Sequence, residues 1–171
     1  HKVNVEMLDY RDVKKKYDCI ISIEMIEAVG EKYWGQYFEK LYALLRPKGR
    51  IGLQVITIKN ERFDSYRKNV DFIQAYIFPG GMLPSPLALE KAALAEGLKI
   101  TKSHTFGTSY ADTLSIWRSN FEKYVTQSSE KKPNKQFSRM WRYYLAYCEA
   151  GFRSGNINVG QYFLTHAQTN W

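Results

Sequence analysis

Apolar and polar positions along the chain follow two periods, one of a strand and one of a helix. Val3–Leu8 (VNVEML) alternates and predicts a strand. Tyr17–Ile23 (YDCIISI) is a β-branched run without alternation, which predicts a strand covered on both faces. In Glu31–Leu45, Trp34, Tyr37, Phe38, Leu41, Leu44 and Leu45 recur at helical spacing, and Pro47-Lys48-Gly49 stops the helix. Arg50–Ile58 (RIGLQVITI) is the next strand, with the polar Gln54 at its middle. A longer excursion to Pro86 holds a helix around Val70–Ile77 and the turn-rich run Phe78-Pro79-Gly80-Gly81-Met82-Leu83-Pro84-Ser85. Ser85 caps a helix that starts with Pro86 and is closed by Gly97. Leu98–Thr105 reads as a strand, Tyr110–Val125 and Lys135–Phe152 as helices, and Ile157–Thr165 as a last strand. Strand–helix alternation predicts an α/β domain with a largely parallel sheet, to which the last two helices and the closing strand add a lid or edge.

The most informative stretch is Tyr17–Gly30, YDCIISIEMIEAVG. A buried strand here runs out of the core and delivers Glu24 and Glu27 into a loop at its C-terminal end, where open α/β sheets bind ligands. Glu27 sits between Ile26 and Ala28-Val29, and a carboxylate among aliphatic groups is desolvated unless something pairs with it. On pattern alone, a core strand followed by a solvated loop is the alternative.

Composition narrows the function. The 171 residues include 13 Tyr and 4 Trp, enough rings to fill a large core or line an apolar channel. A net charge of +8 favours an anionic partner such as phospholipid or a membrane surface. No nucleic-acid recognition motif accompanies the charge, so nucleic acid is not an expected partner. Cys19 and Cys148 are too few for a disulfide framework and are expected to be reduced core thiols, which fits a cytoplasmic location. No apolar run is long enough to span a membrane, and no charged-then-apolar leader is evident. The chain opens inside a strand-like pattern, as part of a longer protein would.

Several segments, in order, resemble one family: Leu8-Asp9-Tyr10-Arg11-Asp12, EMIEAVG, LRPKGRIGLQVITI, YIFPGGMLPS, FGTSYADTL and RYYLAYCEAGF. Together they resemble the C-terminal part of the cyclopropane-fatty-acyl-phospholipid synthases, which include the mycolic acid methyltransferases. The resemblance implies a class I S-adenosylmethionine methyltransferase fold, a Rossmann-like sheet of order 3-2-1-4-5-7-6. It also implies that this chain supplies strands 3 to 7 plus a helical lid. The glycine-rich cofactor loop and the strand-2 acid are not in the sequence, so the segment by itself is not expected to be active. Strand 4 would be an open edge, to be covered by the rest of the protein or by another chain, as in a homo-oligomer.

The implied reaction moves a methyl group from S-adenosylmethionine to a cis double bond of a phospholipid acyl chain. A bicarbonate ion takes the proton as a cyclopropane ring closes. By resemblance, Glu27 orients the bicarbonate, Gln54 stands where many members carry histidine and anchors the anion, the Ile56 amide contacts it, and the Tyr110 hydroxyl points at it. Ala28 stands where histidine is common. Tyr10 matches an aromatic packed on adenine, flanked by Asp9 and Arg11, and Ile23 lines the cofactor site. Phe78, Gly81, Trp117, Tyr144 and Phe152 are candidates for the acyl site, where ring faces would steady a cation. Lys131, Lys132, Lys135, Arg139 and Arg142 are candidates for contact with headgroups. Alternative readings are a fatty-acid methyltransferase with methyl-branched or methylene products, and a non-catalytic membrane-surface module.

Overall fold

The structure, a computed structural model, describes residues 3–127 and 133–168. A 3₁₀ turn at Tyr10–Asp12 leads into β1 (Tyr17–Ile23), the short helix α1 (Ile26–Val29) and, after a second 3₁₀ turn, α2 (Trp34–Leu44). Next come β2 (Leu45–Ile58), α3 (Asn60–Tyr66), α4 (Phe72–Tyr76) and α5 (Pro86–Ala95). The chain continues with β3 (Leu98–Thr105), α6 (Gly107–Gln127), α7 (Lys135–Arg153) and β4 (Ile157–His166).

The strands form one four-stranded sheet of order β1-β2-β4-β3. This is the 4-5-7-6 part of the expected order. The α/β class is as expected, but the sheet is not largely parallel: β1 and β2 are parallel, while β4 is antiparallel to both β2 and β3. The reason is the placement of β4. β2 and β3 run the same way with a gap between them, and the returning strand fills that gap instead of adding to an edge.

Three further expectations change. Val3–Leu8 forms no strand, and Val3, Val5 and Met7 are exposed. Alternation makes a strand only where a ladder partner lies alongside, and none does among the described residues. β1 is an edge strand covered on one side, so Cys19 lies exposed and Ile21 and Ile23 remain 75% and 62% accessible. Cys148 is partly buried, so neither thiol is fully enclosed.

The main core lies between α2, α5 and one sheet face, with Tyr37, Phe38, Leu41, Ile51, Leu53, Leu89 and Leu164 among its members. Alternate residues of β2, Ile51, Leu53 and Val55, point into it. Ser85 caps α5 by accepting from the Ala88 N–H at 3.2 Å, with Pro86 at the first turn. On the other face α6 and α7 pack on β4 through Ala111, Leu114, Leu145, Phe152 and Val159. Gly107 sets the start of α6. Its N–H donates to Asn158 Oδ1 at 2.9 Å, and a Cβ there would meet that oxygen at 2.5 Å. This close approach brings Tyr110, one turn along α6, over the ends of β1 and β2.

Candidate functional site

Four polar side chains meet at the C-terminal ends of β1 and β2: Glu24, Glu27, Gln54 and Tyr110. Gln54 is on β2 opposite Ile23, so it shares a face with the end of β1. Its amide Nε2 donates to Glu24 Oε1 and to the Tyr110 hydroxyl, both at 2.9 Å. The Tyr110 hydroxyl in turn donates to Glu24 Oε1. Gln161, the β4 partner of Gln54, donates to the Gln54 side-chain oxygen at 3.3 Å. The Tyr110 ring is held between Phe106 and Phe152, with centroids 5.8 and 5.4 Å away.

Glu27 approaches from α1. Its Oε1 accepts from the Ile56 N–H at 2.6 Å, and its Oε2 is buried with no partner. Among the described residues only Trp34 Nε1 shares that condition, and a buried carboxylate oxygen without a protein partner is satisfied by a water or a ligand. Burial raises the Glu27 carboxyl from 4.5 to about 7; the Ile56 N–H opposes this and nearby Glu24 adds slightly to it. Burial, reinforced by Glu24, pushes the Tyr110 hydroxyl up to about 12, so it stays a donor.

The backbone around Glu27 is stitched to the glycine loop. The Met82 N–H donates to the Glu27 carbonyl at 2.8 Å, and Gln74 Nε2 donates to the Gly81 carbonyl at 2.9 Å. Gly81 thus lies next to the backbone of Glu27. Tyr144 lies half-buried in the α6–α7 cluster with its ring 4.9 Å from Trp141. Phe152 is a core residue, 5% exposed. Phe78 and Trp117 stand largely in the open, at 59% and 56%.

The cofactor candidates reach the same end of β1 through α2. The Tyr10 ring packs edge-on to Tyr37 at 5.8 Å, and the Tyr37 hydroxyl donates to Ser22 Oγ on β1 at 2.8 Å. Asp9 caps the 3₁₀ turn and pairs with Arg11 at 2.7 Å, which holds its carboxyl down at about 2. Ile23 is exposed beside Gln54. Among the basic candidates, Lys135 and Arg139 are exposed at the start of α7, while Arg142 is paired with Glu122 at 2.6 Å. Lys131 and Lys132 lie outside the described residues.

The sequence reading placed Glu24 at the ligand end of β1 without a specific role, read Tyr37 only as a helix-face residue, and passed over Gln161. Glu24 had one signal, its place directly after β1. Gln161 had none, because it meets Gln54 only through the insertion of β4.

The open α/β sheet matches the fold of solved cyclopropane synthases and methyltransferases. The structure of mycolic acid cyclopropane synthase CmaA1 complexed with SAH and CTAB aligns with a TM-score of 0.77 at 26% identity, over 91% of this chain and 57% of that one. The cyclopropane synthase MmaA2 from Mycobacterium tuberculosis has the same fold, with a TM-score of 0.76 at 24% identity, over 91% of this chain and 57% of that one. Residues 1–162 match the mycolic acid cyclopropane synthetase family, and the chain belongs to it. It is 42% identical over 165 residues to tuberculostearic acid methyltransferase UfaA1 of Mycobacterium tuberculosis, covering 96% of this chain and 39% of that protein. It is 33% identical over 171 residues to the cyclopropane-fatty-acyl-phospholipid synthase of Escherichia coli, covering 98% and 42%. The chain thus spans about two fifths of the length of these curated relatives.

Proposed function

We propose that this chain is the C-terminal part of an S-adenosylmethionine-dependent methyltransferase that adds a one-carbon unit across cis double bonds of phospholipid acyl chains, forming cyclopropane fatty acids. The observation that carries this reading is Glu27. In a chain of this family, it presents a buried carboxyl, raised to about 7, with one bare oxygen at the ligand end of the sheet.

The residues present fit the cofactor. Two carboxylates, Glu24 and Glu27, give the negative field that suits a sulfonium, and Tyr10 offers a ring beside the same strand end. S-adenosylmethionine supplies an electrophilic methyl group when bound. Tyr10 and Ile23 would hold it, with the remaining contacts coming from an upstream segment carrying a glycine-rich loop. Tyr144 and Gly81, with Phe78 and Trp117 at the outside, would border the acyl chain, whose own hydrocarbon would keep water from the cation that forms on it. By the resemblance, Glu27 would orient a bicarbonate that removes the proton.

Bicarbonate is the proton acceptor implied by the resemblance. The bare Glu27 Oε2 favours it, since that oxygen can accept the O–H of bicarbonate. The donors expected for its other oxygens are already in use, because Ile56 serves Glu27 while Gln54 and Tyr110 serve Glu24. The seat therefore does not fit the ion as it stands.

The net charge of +8 and the exposed Lys135 and Arg139 support peripheral binding to anionic headgroups at the cytoplasmic membrane face. No described helix is long and apolar enough to cross a membrane. The open edge of β1 would pair with the upstream segment or a second copy. A methyl-branched or methylene product is the second reading, favoured by the 42% identity to a tuberculostearic acid methyltransferase.

The test incubates the intact protein with methyl-labelled S-adenosylmethionine and vesicles of monounsaturated phospholipid. Label should enter the acyl chains, and mass spectrometry should separate ring, branch and methylene. Absence of label from the lipid would refute the reading.

A further inference from the structure

Each polar donor expected to greet a dissolved anion here already serves a carboxylate of the chain. The Ile56 N–H is taken by Glu27 Oε1. Both hydrogens of the Gln54 amide are used, one by Glu24 and one by Tyr110, and Gln161 fixes the amide's orientation through its oxygen. The Tyr110 hydroxyl is spent on Glu24. A free anion entering this seat would also face two carboxylates, and like charges sharing a site disfavour one another.

Glu24 is built for this place. Its φ of 49° puts a non-glycine residue in the left-handed region directly after β1. That conformation persists where the surroundings over-determine it. Here the Glu24 N–H donates to the Gln54 carbonyl at 2.8 Å while its side chain holds Gln54 and Tyr110. Glu24 is also exposed, so a proton it accepts can pass to solvent.

We propose that Glu24 takes the place of bicarbonate and is the proton acceptor of the reaction. Once the acyl chain carries the transferred methyl and a positive charge, a C–H bond breaks. Its electron pair forms the C–C bond that closes the ring, or a double bond, and the proton goes to Glu24. No further reactant is needed. Gln54 and Tyr110 are positioning residues that aim the carboxylate. The inference rests on the methyltransferase reading above.

The experiment compares the intact wild-type protein with Glu24→Gln and Glu24→Gly in carbonate-free buffer and with added bicarbonate. Glycine accepts the left-handed backbone, so the second variant removes the carboxylate without straining the fold. One readout is label transfer to monounsaturated vesicles; the other is line broadening of isotopically labelled bicarbonate by nuclear magnetic resonance, which needs no turnover. Wild type should transfer label at the same rate with and without bicarbonate and should not broaden the bicarbonate line. Both variants should lose about a hundredfold in rate, recover in part with bicarbonate, and broaden the line. A wild-type rate that depends on bicarbonate, or a wild-type protein that broadens the line as much as the variants do, would overturn the proposal. Absence of label under every condition would count against the methyltransferase reading, and the bicarbonate line would still decide the role of Glu24.

Discussion

Replacing Glu27 with glutamine should change how stability depends on pH. Burial raises the folded-state carboxyl from 4.5 to about 7. Between those two values the native state binds more protons than the unfolded chain, so the free energy of unfolding falls as pH rises through this window. Below the window both states are protonated and burial of the group is harmless; above it the cost of a buried charge applies in full. At about 1.4 kcal/mol for each tenfold change, the interval corresponds to about 3 kcal/mol. Glutamine keeps the size of the side chain and an oxygen for the Ile56 N–H. It cannot ionise, and its amide N–H in place of Oε2 costs about 1–3 kcal/mol at every pH. Urea unfolding at about pH 5 and about pH 8 separates the two effects. The variant should be the weaker protein at the acid end, then gain about 2.5 kcal/mol on wild type between these two pH values, which take in most of the window. An unchanged difference between the two proteins at both ends would refute the reasoning, because Glu27 would then titrate normally in the fold.

Other outcomes follow from particular contacts. Gly107→Ala drives a Cβ to 2.5 Å from Asn158 Oδ1; it should destabilise by about 1–3 kcal/mol in urea titration and loosen Tyr110 over the site. Ser85→Ala removes the α5 cap and should cost about 1 kcal/mol in the same assay. Tyr110→Phe leaves Glu24 with Gln54 alone, and label transfer by the intact protein should fall less than it does in Glu27→Gln. Ile21→Lys should leave the stability of this chain within about 0.5 kcal/mol, since the side chain is 75% exposed. If an upstream segment pairs with the β1 edge as proposed above, the same change should cost more in the intact protein.

Local patterns carried most of the elements into view. Helical spacing located α2 and the apolar stripe located α7, while the turn chemistry of Ser85-Pro86 and Gly97 bounded α5 at both ends. What depends on neighbours distant in the chain was hidden. The β-branched run of β1 reads the same whether its faces are covered or bare, and only the sheet shows it as an edge. Val3–Leu8 alternates as a strand does and stays unpaired. The insertion of β4 between β2 and β3 reverses the expected parallel character and brings Gln161 against Gln54, a contact that no local signal announces. In the site, the flanking aliphatics announced Glu27 as desolvated, and its bare buried oxygen agrees. Glu24 was visible as a carboxylate at a strand end. Its role needed the convergence of Gln54 and Tyr110, which sit on a separate strand and helix.

The most direct measurement is a crystal structure of the intact protein with S-adenosylhomocysteine bound. The adenine should lie on Tyr10 and the sulfur should face Glu24 and Glu27, with Tyr110 still donating to Glu24. A cofactor bound away from the ends of β1 and β2, or both carboxylates turned out into bulk water, would contradict the reading of this cluster as a methyl-transfer site.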